Sequence, residues 1–283
     1  MKGKKIDLLS NRVLITIMVI GFLILAYPSV SDWWNSFHQS RAIASYVETV
    51  ANLDQSEFDK MIADAEYYNA SLIDKKNRFK MSEEETRAYN SILDVTGTGI
   101  MGYVQIPKIH ISYPIYHGTE DTVLQIAIGH IAGSSMPVGG AGTHCLISGH
   151  RGLPSARLFT DIDKLTEGDT FVLQVLDRTY TYEVDQIRIV LPEELDSLTI
   201  DPEKDYCTLI TCTPYGINTH RLLVRGHRVD NELDGSKVVA EAIVLRPEIV
   251  APVIAVPMLV ILLVWVFLSG RKKKNRQADD ELI

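Results

Sequence analysis

The chain has 283 residues, 46 % of them hydrophobic, and carries 36 acidic against 28 basic side chains. That length holds one sizeable core plus attachments. Between Ser31 and Ile249 the balance is 19 Lys+Arg to 32 Asp+Glu, a net of −13, which argues against nucleic acid or anionic lipid as a partner of this region.

Residues 1–12 form a short tail with Lys2, Lys4, Lys5 and Arg12, and Val13 to Val30 is an uncharged, mostly apolar run of 18 residues. A second uncharged run, Val250 to Ser269, has 20 residues. A hydrocarbon core about 30 Å thick needs roughly 20 apolar residues in a helix, so both runs are candidate transmembrane helices. The first has a rival reading as a cleaved signal peptide. Ala26-Tyr27-Pro28-Ser29 is a poor match to a small-x-small cleavage site, so an uncleaved anchor is expected. In the second, Pro252 and Pro257 lie toward the outer end, where a helix tolerates them better. Arg271, Lys272, Lys273, Lys274 and Arg276 follow it, in a basic tail at 270–283. The positive flanks predict that both termini are cytoplasmic and that everything between the spans lies outside the cell membrane.

Residues 31–67 read as a helical segment. Ile43, Tyr46, Val47 and Val50 recur at i, i+3, i+4 and i+7. Ser56-Glu57-Phe58-Asp59 resembles a capping box opening a second helix, with Phe58, Met61, Ile62 and Ala65 on its apolar side. Residues 68–97 show no clean period and include the basic patch Lys75-Lys76-Asn77-Arg78. The plain reading is a solvated loop; its length marks it as a candidate lid or flap.

From residue 98 to 232 the texture is β. Seven strand-like runs, at 102–107, 111–116, 143–148, 170–176, 179–190, 206–212 and 221–229, are separated by Gly, Pro, Asn and Asp clusters. Such spacing predicts a mainly β barrel or sandwich. Residues 155–165 and 192–198 read as short helical turns, and 233–249 as a linker to the second span.

The three cysteines are Cys145, Cys207 and Cys212. On one strand, Cys207 and Cys212 stand about 17 Å apart, too far for a disulfide, which needs Cα atoms within about 7 Å. Cys145 with Cys207 stays open as a pair, and an odd count leaves at least one free thiol to explain. Cys212 ends the run Thr208-Leu209-Ile210-Thr211-Cys212, ahead of the turn Thr213-Pro214-Tyr215-Gly216. A thiol there is rigidly held yet reaches solvent, as a nucleophile must; an inert packing cysteine is the competing reading. His150, at a strand end inside Ser148-Gly149-His150-Arg151-Gly152, and His220, just across the turn, are rival bases. If the runs around 213–220 pair antiparallel, Arg221 stands opposite Cys212, where a permanent cation stabilises a thiolate or an oxyanion. The plain alternative is a surface arginine. Arg225 shares that face about 13 Å further along. No CxxC pair, HExxH, Gly-rich phosphate loop or G-x-S-x-G elbow is present, so no metal and no cofactor is expected.

Thr208-Leu209-Ile210-Thr211-Cys212 matches the Thr-Leu-x-Thr-Cys signature of the sortase family. The likeness continues through Thr213-Pro214-Tyr215-Gly216-Ile217-Asn218-Thr219-His220-Arg221 to Gly226. Upstream, 101–109, 114–119 and 148–154 are similar to class C, pilus-assembling sortases, and the likeness spans about Tyr68 to Val229. The resemblance implies an eight-stranded sortase-type β-barrel with N-terminal helices, here flanked by two transmembrane helices. It selects His150 over His220, implying Cys212 as nucleophile, His150 as general acid and Arg221 as electrostatic stabiliser. It implies cleavage of a Leu-Pro-x-Thr-Gly-like sorting signal between Thr and Gly, a thioester on Cys212, and transfer to a lysine amine of another pilin subunit. Attachment of surface proteins to the cell wall, and a non-catalytic assembly scaffold, are the alternatives. Class C members usually carry an Asp-Pro-aromatic lid. Here Asp74 supplies the acid and Phe79 a nearby aromatic, with Lys75-Lys76-Asn77-Arg78 and no proline between them, so a looser or differently anchored lid is expected, with Asp74 and Phe79 its candidate residues and Asp74 a candidate contact to Arg221. Cys145 and Cys207 read as packing residues.

Overall fold

The computed structural model describes residues 3–231, so the second apolar run and the tail beyond it lie outside the described residues. One helix, α1 (Gly3–Ala51), runs through the first apolar stretch and Pro28 without interruption. From Ile15 onward it is long and apolar enough to cross a membrane, with Ile17, Leu23, Ile24 and Leu25 exposed. Past residue 30 the same helix docks on the barrel. Asn35 donates to the Ser155 carbonyl at 2.8 Å, Gln39 to the Ile126 carbonyl at 2.5 Å, and the Tyr46 hydroxyl to the Met101 carbonyl at 3.1 Å. Tyr46 is fully buried, but Val47, expected on the same stripe, is 48 % exposed.

Helix α2 (Gln55–Leu72) buries Phe58, Ile62, Ala65, Asn69 and Leu72. Its capping box lies two residues ahead of the expected one: Asp54 Oδ1 accepts from the Glu57 amide at 2.8 Å, and Glu57 reaches back to the Asp54 amide at 3.3 Å. Ser56 sits inside the first turn and donates to Asp54 instead. A third helix, α3 (Glu83–Ser91), occupies part of the region read as aperiodic. Ser82 and Glu85 cap it, and only Tyr89 is buried, so the helix offers no hydrophobic period to detect.

The strands are β1 (Ile100–Ile106), β2 (Ile111–His117), β3 (Ile128–His130), β4 (Thr143–Ser148), β5 (Thr170–Val175), β6 (Arg178–Val190), β7 (Asp205–Thr213) and β8 (His220–Val229). A four-residue helix, α4 (Asp121–Leu124), precedes β3. The strands close into a barrel in the order β1-β2-β3-β4-β7-β8-β6-β5. The pairs β2–β3 and β4–β7 are parallel and the remainder antiparallel.

Alternation along the strands sorts residues into an inside and an outside. Cys145, Ile147, Cys207, Leu209, Leu222 and Val224 join the barrel core with Phe171, Leu173 and Tyr182. The intervening Leu146, Ile210 and Leu223 face outward and form a second, smaller apolar cluster with Leu198. That outer cluster is the ground on which the candidate site stands.

Candidate active site

Cys212 and Arg221 are directly opposite in the β7–β8 ladder, two positions beyond the pair Ile210 and Leu223. Both therefore project from the outer face, next to the apolar cluster. His220 pairs with Thr213 and, one residue from Arg221, points to the other side of the sheet. The third expected residue enters through the parallel pair. β4 and β7 run side by side with Ser148 level with Ile210. Past that level the Gly149 amide donates to the Ile210 carbonyl at 3.0 Å, and the Thr211 hydroxyl donates to the Gly149 carbonyl at 2.7 Å. These two bonds hold the residue before His150 against the residue before Cys212.

Cys212 is half-buried, and its thiol makes no hydrogen bond among the described residues. Arg221 Nη1 donates to the carbonyls of Asn218 (3.3 Å) and His220 (3.1 Å), leaving the rest of its fork without a protein partner among the described residues. Arg225 is committed elsewhere: it forms a two-pronged pair with Asp185 at 3.0 and 2.9 Å and lies over the Tyr206 ring at 4.2 Å. Buried histidines away from Cys212 are also engaged. His130 contacts the Tyr89 hydroxyl and the Ser135 carbonyl; His144 contacts Thr199 and Thr208; His117 contacts Gly99 and Ile92. Burial pulls the His144 pKa down to about 4.

Two features escaped the sequence reading. Arg151, next to His150, pairs with Asp163, reaches the Thr213 hydroxyl at 3.4 Å and stands over the Tyr215 ring at 6.0 Å. It thereby ties the loop after β4 to the turn after β7, from the flank of the site. The second is the seat of the segment between α2 and α3. Phe79 packs on the outer cluster of Leu146, Leu198, Ile210 and Leu223. Ile210 and Leu223 are each two residues from the Cys212–Arg221 pair, so the cluster that Phe79 packs on reaches to about one side-chain row, roughly 7 Å, from it. Arg78 is buried beside it, donates to the Leu198 carbonyl and stacks on the Phe79 ring at 4.6 Å. Gly133 admits this segment: a Cβ there would stand 2.2 Å from the Arg78 carbonyl oxygen. Asp74 is exposed and has no ion pair with Arg221, so the expected contact is not formed. Residues 76–79 turn the chain over, and the basic Arg78, not the acidic Asp74, is carried under the protein surface.

The loop after β4 also docks on α1. The Arg157 amide donates to Asp32 Oδ1 at 3.0 Å, and the Phe159 amide to the His150 carbonyl at 3.1 Å. Two residues span at most about 7 Å, so the His150 carbonyl lies within roughly 13 Å of Asp32. Asp32 is two residues past the uncharged run. Among the described residues no group of three or more His, Cys, Asp or Glu is placed to hold a metal ion.

A barrel of this topology, with a cysteine and an arginine paired on its outer face, has clear relatives. Residues 104–229 match the Sortase domain family. Sortase C1 of Streptococcus agalactiae is 53 % identical, with a TM-score of 0.66 over 68 % of this chain and all of that one. Sortase C of Clostridium perfringens, solved with the C-terminal cell wall sorting motif, is 42 % identical, with a TM-score of 0.58, covering 68 % of this chain and 100 % of that one. Sortase C of Streptococcus pneumoniae, described for its catalysis and pilin substrate specificity, is 40 % identical, with a TM-score of 0.60, covering 68 % and 97 %. The chain belongs to the sortase family of cysteine transpeptidases, and the solved relatives it resembles at these identities are class C.

Proposed function

We propose that this protein is a membrane-anchored pilus sortase that uses Cys212, His150 and Arg221. It cleaves a Leu-Pro-x-Thr-Gly-like signal between Thr and Gly. The observation that carries this reading is the register that sets Cys212 against Arg221 on the outer face, with the residue before His150 bonded to the same strand. The Cys212 thiolate attacks the threonine carbonyl carbon, and the charge that develops on the oxygen meets the free donors of Arg221. The C–N bond breaks as imidazolium His150 protonates the departing glycine amine. A lysine amine of the next pilin then attacks the thioester, His150 accepts its proton, and the thiolate is released. His220 suits this role less well because it faces away from Arg221. Pilin is the favoured substrate because the class C relatives include enzymes described with a sorting motif and with pilin specificity.

The catalytic domain lies outside the cell, with both termini cytoplasmic and the second span at 250–269. The His150 loop docks at the foot of α1, so the site works close to the bilayer. Phe79 serves as the lid, with Arg78 carried in beside it; Asp74 stays a member of the lid segment without a bond to the site.

The test is Cys212→Ala in cells displaying pilin. High-molecular-weight ladders should disappear; unchanged ladders overturn the assignment. Replacing the pilin's acceptor lysine separates the two transfer reactions. Loss of ladders with wall-bound monomer retained fits polymerisation, whereas transfer to the wall with the enzyme's products indifferent to the lysine fits wall attachment.

A further inference from the structure

The two cysteines that the proposed chemistry does not use are cross-strand neighbours. Cys145 on β4 is level with Cys207 on β7 in the parallel ladder, and both side chains point into the barrel. They are 2 % and 0 % exposed. Level positions on adjacent strands put the Cα atoms about 4.8 Å apart, inside the 4.4–6.8 Å window of a disulfide. On the far side of Cys207 its ladder partner is Gly226, which has no side chain to crowd the pair. Their placement along the chain matters as well. His150 follows Cys145 by five residues and Cys212 follows Cys207 by five, so the pair sits at one level of the two strands that carry the site.

We propose that Cys145 and Cys207 are a disulfide-forming site inside the barrel, a covalent staple that pins β4 to β7 in the register that brings His150 beside Cys212. The oxidant is a disulfide donor, such as a small-molecule disulfide outside the cell. With Cys145 reacting first, its thiol loses a proton and the thiolate attacks one donor sulfur; the donor S–S bond breaks, one donor thiolate leaves and takes up that proton, and a mixed disulfide forms, and the order with Cys207 first balances in the same way. Cys207 gives up its proton and attacks the Cys145 sulfur. The internal S–S bond forms, and the second donor thiolate leaves with that proton. Two protein thiols are oxidised and one donor disulfide is reduced to two thiols. The two cysteines are not equivalent. Burial opposes either thiolate in the closed barrel, but the neighbouring Cys207 and His130 outweigh it at Cys145, whose thiol falls below its ordinary range. Burial pushes Cys207 well above it, and the neighbouring Cys145 adds to the rise. Because both sulfurs are buried, exchange takes place when the barrel opens or before it closes.

The experiment uses the full chain in detergent, held a few degrees below its thermal midpoint with oxidised glutathione or with dithiothreitol. Each sample is quenched in acid, denatured with N-ethylmaleimide and mapped by mass spectrometry. The oxidised sample should yield a peptide pair joined through Cys145 and Cys207. Its thermal midpoint should exceed that of the reduced sample by roughly 10 °C, since the bond closes a long loop. Cys145→Ala and Cys207→Ala should each abolish that redox-dependent difference, whatever packing they lose, because each variant is compared with itself. Full maleimide labelling of both cysteines after oxidation overturns the proposal, as does a bond from either one to Cys212. None of these readouts needs transpeptidase activity, so they stand or fall apart from the pilus reading.

Discussion

Cys207 and Cys212 lie five residues apart on β7 and live in different chemistry. Cys207 faces inward with Leu209, is fully buried, and has its thiol pushed far up by burial. Cys212 faces outward with Ile210, half-buried at the mouth of a hairpin and opposite an arginine. One strand thus supplies the core with one set of alternate residues and the site with the other. The outer row tolerates a reactive thiol because the inner row already carries the packing. The comparison predicts that inner and outer substitutions fail differently.

The largest effect expected on the outer row is Arg221→Ala. Under the proposed mechanism Arg221 donates to the oxyanion, so its removal should lower kcat on a sorting peptide by about 10²–10³ while the thermal midpoint holds. An unchanged kcat would detach Arg221 from the chemistry. On the inner row, Leu209→Ala should cost about 2–5 kcal/mol in denaturant unfolding, with kcat per folded molecule preserved. If kcat falls as far as stability, the two faces are not separable and the comparison breaks.

His144 is a third probe, on the outer face of β4 but deeply covered. Burial lowers its pKa to about 4, with Arg78 and Arg225 adding to the fall and the Thr199 carbonyl and Asp185 opposing it. The unfolded chain binds this proton near 6.5 and the folded chain only near 4. Stability from this group is therefore complete above pH 6.5 and is lost as pH falls through that window, by about 3 kcal/mol in all. Unfolding at pH 7 and pH 4.5, wild type against His144→Gln, should show that slope in the wild type only. Equal slopes would mean that His144 already carries its proton in the folded state.

The legible parts of this molecule are those encoded in short range. Seven strands announced themselves through alternation between turn residues, and the hairpin logic that set Arg221 opposite Cys212 needed only the eight residues between them. Strand β3 has three residues and pairs in parallel with β2, so it has neither alternation nor a hairpin turn to mark it. The seat of Phe79 and the tie made by Arg151 were illegible for a further reason. Both depend on β4 and β7 lying side by side, a parallel pairing of segments some 60 residues apart that no local pattern records. Asp74 was favoured because a family pattern places an acid there. The chain instead buries Arg78, which a reading of charge alone sends to solvent.

That buried arginine makes the proposed lid a compromise, and the smallest predicted effect follows from it. Phe79 gains by resting on the outer apolar cluster, but Arg78 is carried in with it. Burial lowers the Arg78 pKa, and its Nη1 is buried without a hydrogen-bond partner among the described residues. An unpaired buried donor costs about 1–3 kcal/mol, the same order as half-burying a phenylalanine ring. The closed lid is therefore held by a small difference between two larger quantities. Removing the ring in Phe79→Ala deletes the favourable side alone and should raise the rate of sorting-peptide cleavage by several-fold, up to about tenfold, with little change in global stability. Deleting the charge in Arg78→Met should act the opposite way, because it keeps an apolar stem beside Leu198 and removes the unpaired donor. Cleavage then slows while Cys212 labelling by a small alkylating agent slows with it. Equal cleavage and labelling rates in wild type and both variants would mean that the segment packs on the outer face without gating it.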